Sequence, residues 1–193
     1  MNARIPQSLL RDIKRHGYEV VGDGRIYVPK ARMFIGGVFG YEVMRGGEII
    51  DKWDSHNLWV NQGLNHGLDV ILHDGTKVHP WYVGIFEGNY TPLATDTAAN
   101  ISATSTECTA YSEATRQEDV ETAASSQSTN NTANKAVFTM NATKTIYGAF
   151  LASASAKGAT TGTLLAADKA GTSKSLTSGD QLLVEYILTA AAA

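Results

Sequence analysis

Four histidines, His56, His66, His73 and His79, fall within 24 residues of each other, and imidazole is the commonest side-chain ligand for a transition metal. Their spacing makes no zinc signature, which would pair ligands four residues apart on a helix or add a carboxylate at a set position. They are read as surface or packed histidines, with no metal and no cofactor assigned. Glu113, Glu118, Asp119 and Glu121 form a second concentration of chemistry, since a hydrolase can use two carboxyls at fixed separation with one pKa raised by burial. No apolar sequence frames them, so they are read as a solvated acidic loop. Trp53, Trp59, Trp81 and Tyr82 offer either an exposed sugar platform or core filling, and aromatics at strand positions favour the core. Cys108, the one cysteine, lacks Cys or His partner spacing and reads as a small packed thiol. There is no nucleophile elbow, P-loop or dinucleotide motif; Gly36-Gly37-Val38-Phe39-Gly40 stands at a strand entrance and opens no helix. No catalytic residue is assigned, and an enzyme is not expected.

The elements that must carry these residues are mostly strands. Val38 to Met44 and Ile49 to Trp53 flank Gly46-Gly47, a hairpin signal in which glycine permits positive φ. Trp81 to Phe86 is the strongest strand, bounded by Pro80 and Gly88. Further strands are predicted at 136–141, 145–152, 162–167 and 181–189, with long loops over 90–134 interrupted by one strand near Thr106 to Tyr111. Leu64, Leu68, Ile71 and Leu72 recur at helical spacing until Asp74-Gly75, which predicts a helix over 61–73. Gly63 and Gly67 each cost that helix about 1 kcal/mol relative to Ala, a cost that makes sense where a neighbouring backbone approaches closely. His66 and His73 would stand about two turns apart on it, too far to chelate one ion together.

The first 35 residues read differently. Pro6 to His16 places Leu9, Leu10 and Ile13 on one helical stripe with Arg11, Lys14 and Arg15 mostly off it, a short amphipathic helix that needs an apolar surface to order it. A hairpin is predicted over 18–28 around Gly22-Asp23-Gly24. Residues 1–32 hold seven Lys/Arg against three Asp/Glu, a surplus of +4, and the rest of the chain carries −7. This asymmetry predicts a docking arm over 1–35, with Leu9, Leu10, Arg11, Ile13, Lys14 and Arg15 as the partner-binding residues, ahead of a sandwich domain over 36–193. The net charge of −3 argues against a general nucleic-acid binder. No apolar run approaches the 18 to 20 residues of a membrane span, and Pro6-Gln7-Ser8 replaces a signal-peptide core. A soluble protein assembled in a reducing cytoplasm is therefore expected.

Between Ala94 and Asp180, 52 of 87 residues are Ala, Ser, Thr or Asn, cut by apolar bursts such as Val137-Phe138 and Phe150-Leu151. A disordered tract would lack those anchors, whereas a thin β-sandwich needs only a few inward hydrophobes per strand. The fold expected is mainly β, an antiparallel, jelly-roll-like β-sandwich with one helix near 61–73 and the N-terminal arm.

The run His56-Asn57-Leu58-Trp59-Val60-Asn61-Gln62-Gly63-Leu64-Asn65 follows a Gly-Gly hairpin and precedes Trp81-Tyr82-Val83-Gly84-Ile85-Phe86 and Thr95-Asp96-Thr97. Together with Tyr111 to Arg116, Ile146 to Leu151 and the closing Ser178 to Val184, this order of elements resembles a group of structural proteins of tailed bacteriophages over roughly residues 36–190. The resemblance implies a virion component. The expectation drawn is a capsid decoration or cement protein, homo-oligomeric and partnered by the major capsid protein or other virion proteins, with no direct contact to nucleic acid or membrane. The alternative is a tail or collar component, either a fibre adaptor or a receptor-binding, carbohydrate-binding adhesin.

Overall fold

The computed structural model describes residues 19–20, 26–27 and 33–192. The chain divides into two compact units, Met1–Phe34 with Ala191–Ala193, and Ile35–Ala190. In the first, β1 (Glu19–Val20) pairs antiparallel with β2 (Ile26–Tyr27), Val20 opposite Ile26, inside the span where a hairpin is predicted. The helix predicted over Pro6 to His16, and with it Leu9, Leu10, Arg11, Ile13, Lys14 and Arg15, lies outside the described residues.

The second unit is a β-sandwich. One sheet runs β4 (Glu48–His56), β3 (Met33–Arg45), β12 (Gln181–Ala192), β8 (Ser128–Asn130), with β9 (Ala136–Thr139) also paired to β12. The other runs β5 (Leu58–Trp59), β11 (Leu164–Leu176), β10 (Lys144–Ala152), β6 (Trp81–Phe86), β7 (Gln117–Asp119). The β3–β4 hairpin closes on two glycines, Gly46 at φ 60° and Gly47 at φ 87°, the geometry in which both central residues of a two-residue turn take positive φ.

Strand alternation builds two cores. Phe39, Tyr41 and Val43 of β3 meet Val83 and Ile85 of β6, Ala149 and Leu151 of β10, and Leu182, Val184 and Tyr186 of β12 between the sheets. The intervening residues Phe86, Phe150 and Ala152 point to the opposite face, where Val60, Ala98 and Ile101 cover them. This outer cover comes from Val60, just after β5, and from the segment after β6, which contains the single-turn helix α2 (Ile101–Thr104). Central strands buried on both faces explain why β10 reads as a nearly unbroken buried run.

Two expectations change. The strand predicted near Thr106 to Tyr111 is reduced to isolated bridges, Phe86 with Glu107 and Tyr111 with Met140, and the 90–134 region instead supplies β7 and β8. The reason is composition. Gln117-Glu118-Asp119 and Ser128-Thr129-Asn130 carry only one strand-favouring side chain between them, Thr129, and are held by their neighbours β6 and β12, a tertiary override of local propensity. The strand predicted at 162–167 extends to Leu176 because its polar second half lies against β10, Lys144 opposite Leu176.

The predicted helix is present as α1 (Asn61–Leu72), but its polarity is inverted. A Cβ on Gly63 would stand 2.8 Å from the Leu165 carbonyl carbon and closer still to its oxygen, so the glycine face is the one that meets the sheet. Gln62 fixes this orientation: its Oε1 accepts from Leu164 N and from Ala98 N, each at 2.9 Å. Backbone N–H groups at the start of β11 need an acceptor, and this amide side chain provides it where β5 has ended. Leu64, Leu68, Ile71 and Leu72 are consequently turned outward, 40%, 54%, 63% and 80% exposed.

Candidate functional site

The sequence-level candidates scatter once folded. His56, His73 and His79 are exposed and His66 packs edge-on to Trp81 at 5.7 Å. Among the described residues no three His, Cys, Asp or Glu side chains converge as a metal site. Cys108 is buried in the inter-sheet core, and burial pushes its thiol up. Trp53, Trp59 and Trp81 pack against that core, half-buried, as core filling predicts.

The acidic cluster separates into unlike parts. Glu118 is exposed, while Glu113 accepts from Thr139 N at 3.0 Å. Glu121 Oε1 lies 3.3 Å from His79 Nε2. Asp119 differs from the solvated reading altogether. It is 5% exposed, because β7 pairs with β6 in a register that sets Asp119 opposite Trp81 and alternation then turns its side chain between the sheets. Val120 beside it is 44% exposed, so polarity here runs opposite to burial. Burial, followed by the charge of Glu121, pushes the Asp119 carboxyl up to about 7.

Asp119 faces a cleft of about 170 Å³ between the sheets. Trp81, Leu151 and Leu165 come from one sheet, Tyr186, Leu188, Thr129 and Asn130 from the other, and Glu121 follows β7. The Tyr186 hydroxyl accepts from Asn57 Nδ2 at 2.9 Å and from Trp59 Nε1 at 3.1 Å, and burial pushes that phenol up. These bonds anchor one wall. Asp119 Oδ1 has no hydrogen-bond partner among the described residues. Sequence reasoning missed the cleft because its apolar walls come from segments 30 to 70 residues away from Asp119.

Two other buried charged groups are internally satisfied and serve the scaffold, whereas Trp53 Nε1, Asn57 Oδ1 and Tyr111 Oη, like Asp119 Oδ1, are buried without a hydrogen-bond partner among the described residues. Asp168 on β11 accepts from Tyr41 Oη at 2.8 Å and from Ser55 Oγ at 2.5 Å, which ties the two sheets together. Arg116, 1% exposed, donates to both Glu107 oxygens at 2.9 and 2.7 Å and to the carbonyls of Ala154 and Ala159. Its guanidinium stands 4.9 Å over the Phe150 ring. Asp168 and Arg116 have their charge met within the fold, whereas at the Asp119 cleft a carboxylate oxygen is buried unpartnered and on the outer face of α1 an apolar stripe is exposed. Such conflicts are where function is expected to override packing.

No known family model matches the sequence, and no curated protein matches it. Among the described residues no helix is long and apolar enough to cross a membrane.

Proposed function

We propose that the chain is a non-enzymatic structural protein of a tailed-bacteriophage virion, a capsid decoration or cement protein that docks on the major capsid protein and stiffens the shell. The observation that supports this reading best is the outward apolar stripe of α1, held out by a glycine face that packs on the sheet. A helix whose apolar side faces water has its stabilising contact elsewhere, on another chain. At about 2 kcal/mol per fully buried Leu or Ile, covering the exposed parts of these four residues contributes about 5 kcal/mol. That is comparable with the translational and rotational cost of forming one pair. A single such contact therefore holds weakly, and many copies engaging a repeating lattice at several points hold strongly by avidity. The basic N-terminal segment, with Leu9, Leu10 and Ile13 as apolar anchors and Arg11, Lys14 and Arg15 as cations, supplies the second point of attachment in this account.

The test is a pair of variants. Leu68→Glu with Ile71→Glu should leave the melting temperature of the isolated chain within about 2 °C, because exposed sites change stability little, and should reduce incorporation into particles. A chain lacking residues 1–32 should likewise fail to incorporate. Wild-type incorporation of both variants would overturn the docking account.

A further inference from the structure

The inter-sheet cleft combines a buried carboxylate oxygen that the scaffold leaves unpartnered with a mainly apolar lining. Asp119 is 95% withdrawn from solvent, and its Oδ1 meets no donor among the described residues. One wall hydroxyl, that of Tyr186, accepts two hydrogen bonds from Asn57 and Trp59. Around the carboxyl the lining is mainly aliphatic and aromatic: Leu151, Leu165, Leu188 and Trp81. A buried polar group normally finds a partner, and a mostly apolar pocket with a few convergent polar groups is the ordinary form of a small-ligand site.

We propose that this cleft binds a primary alkylammonium group, its nitrogen donating to Asp119 and Glu121 and its aliphatic stem lying along Leu151, Leu165, Leu188 and Trp81. Charge selects a cation over a neutral donor. Glu121 adds a second carboxylate, and the mutual repulsion that contributes to the raised Asp119 pKa is relieved by one positive charge between them. Shape and lining select the ammonium over a metal ion, because a hard cation requires six or more oxygens and this cleft presents chiefly carbon. An ammonium on a short methylene chain matches a charged end and an apolar body. The same chemistry is carried by a free alkylamine and by a lysine side chain of a partner protein. The inference stands apart from the virion reading, and its failure would leave that reading untouched.

The experiment is calorimetric titration of the full chain at about pH 8, above the titration of Asp119, with n-butylammonium, n-butanol and Nα-acetyl-lysine N-methylamide as probes. Butylammonium should bind about tenfold or more tightly than butanol, since a charge-assisted bond to a desolvated carboxylate is roughly twice as strong as a neutral one. Asp119→Asn, which keeps the shape, should remove that preference, and Leu188→Phe should narrow the cleft and weaken binding of every probe. A thermal melt of each variant separates lost binding from lost fold, and two-dimensional NMR of the Trp81 indole places the probe. Binding of the lysine compound at least as tight as butylammonium assigns the site to a partner's side chain. Binding of butylammonium alone assigns it to a free amine. Equal affinity for butanol and butylammonium, or an unchanged preference in a folded Asp119→Asn, overturns the proposal.

Discussion

Replacing Asp119 by Asn should remove the pH dependence of stability that this site contributes. The carboxyl titrates at about 7 in the fold against an ordinary value of 3.8, so the folded chain binds the proton more tightly than the unfolded chain. Stability contributed by that proton is fully present at acid pH and is lost as pH rises through about 7. Three units at 1.36 kcal/mol each make the full penalty about 4 kcal/mol in alkaline solution. Of this, about 2.5 kcal/mol accumulates between pH 5 and pH 9 by integrating the linkage relation. The Asn amide is itself incompletely satisfied at a pH-independent cost of roughly 1–3 kcal/mol. Asp119→Asn should therefore be near neutral in stability at about pH 5 and more stable than wild type by about 1–3 kcal/mol at about pH 9, a gain of roughly 3–9 °C in melting temperature for a chain of this size. Urea titrations of both chains, followed by tryptophan fluorescence at the two pH values, measure the difference. Parallel pH profiles for wild type and variant would refute the buried placement of this carboxyl.

Gly63→Ala should destabilise by about 1–3 kcal/mol through overpacking on the Leu165 carbonyl; Gly67→Ala, whose Cβ would meet only Trp59 at 3.6 Å, should stabilise by up to about 1 kcal/mol from helix propensity. Equal effects in thermal melts would contradict the helix orientation. Arg116→Met should cost about 3–5 kcal/mol by leaving Glu107 buried and unpaired, with much of the loss recovered in Arg116→Met combined with Glu107→Leu; a double-mutant cycle in denaturant reads the coupling. The Arg45 guanidinium, donating at 2.7 Å to both oxygens, holds Asp180 well below the usual carboxylate range, so this pair contributes stability above about pH 4 that disappears as pH falls through the folded value. Asp180→Asn should accordingly be less stable than wild type near neutral pH and should converge with it in acid, as followed by circular dichroism.

The sheet framework was legible wherever sequence polarity and burial agree. Trp81 to Phe86 carries β-branched and aromatic residues between Pro80 and Gly88, and the Gly46-Gly47 turn announces its own backbone geometry. The extent of β11 was not legible, because its second half is polar and owes its conformation to pairing with β10. The existence of α1 followed from the spacing of Leu64, Leu68, Ile71 and Leu72, yet periodicity cannot say which face a helix buries. Gly63 was the cue: its close approach to the Leu165 backbone places the sheet on that side and turns the leucines outward. Asp119 was hidden for a related reason, since Val120 next to it is the residue that polarity alone would send inward. The walls that make Asp119 chemically unusual are assembled from both sheets, a long-range arrangement that no local window contains.

The central claim, that the chain is a repeated component of a virion shell, is tested most directly by its copy number. If the proposal holds, quantitative mass spectrometry of purified virions should find the chain in hundreds of copies, in a fixed ratio to the major capsid protein. A handful to a few dozen copies would contradict the decoration role and assign the chain to the tail or collar, and its absence from purified particles would contradict the virion account as a whole.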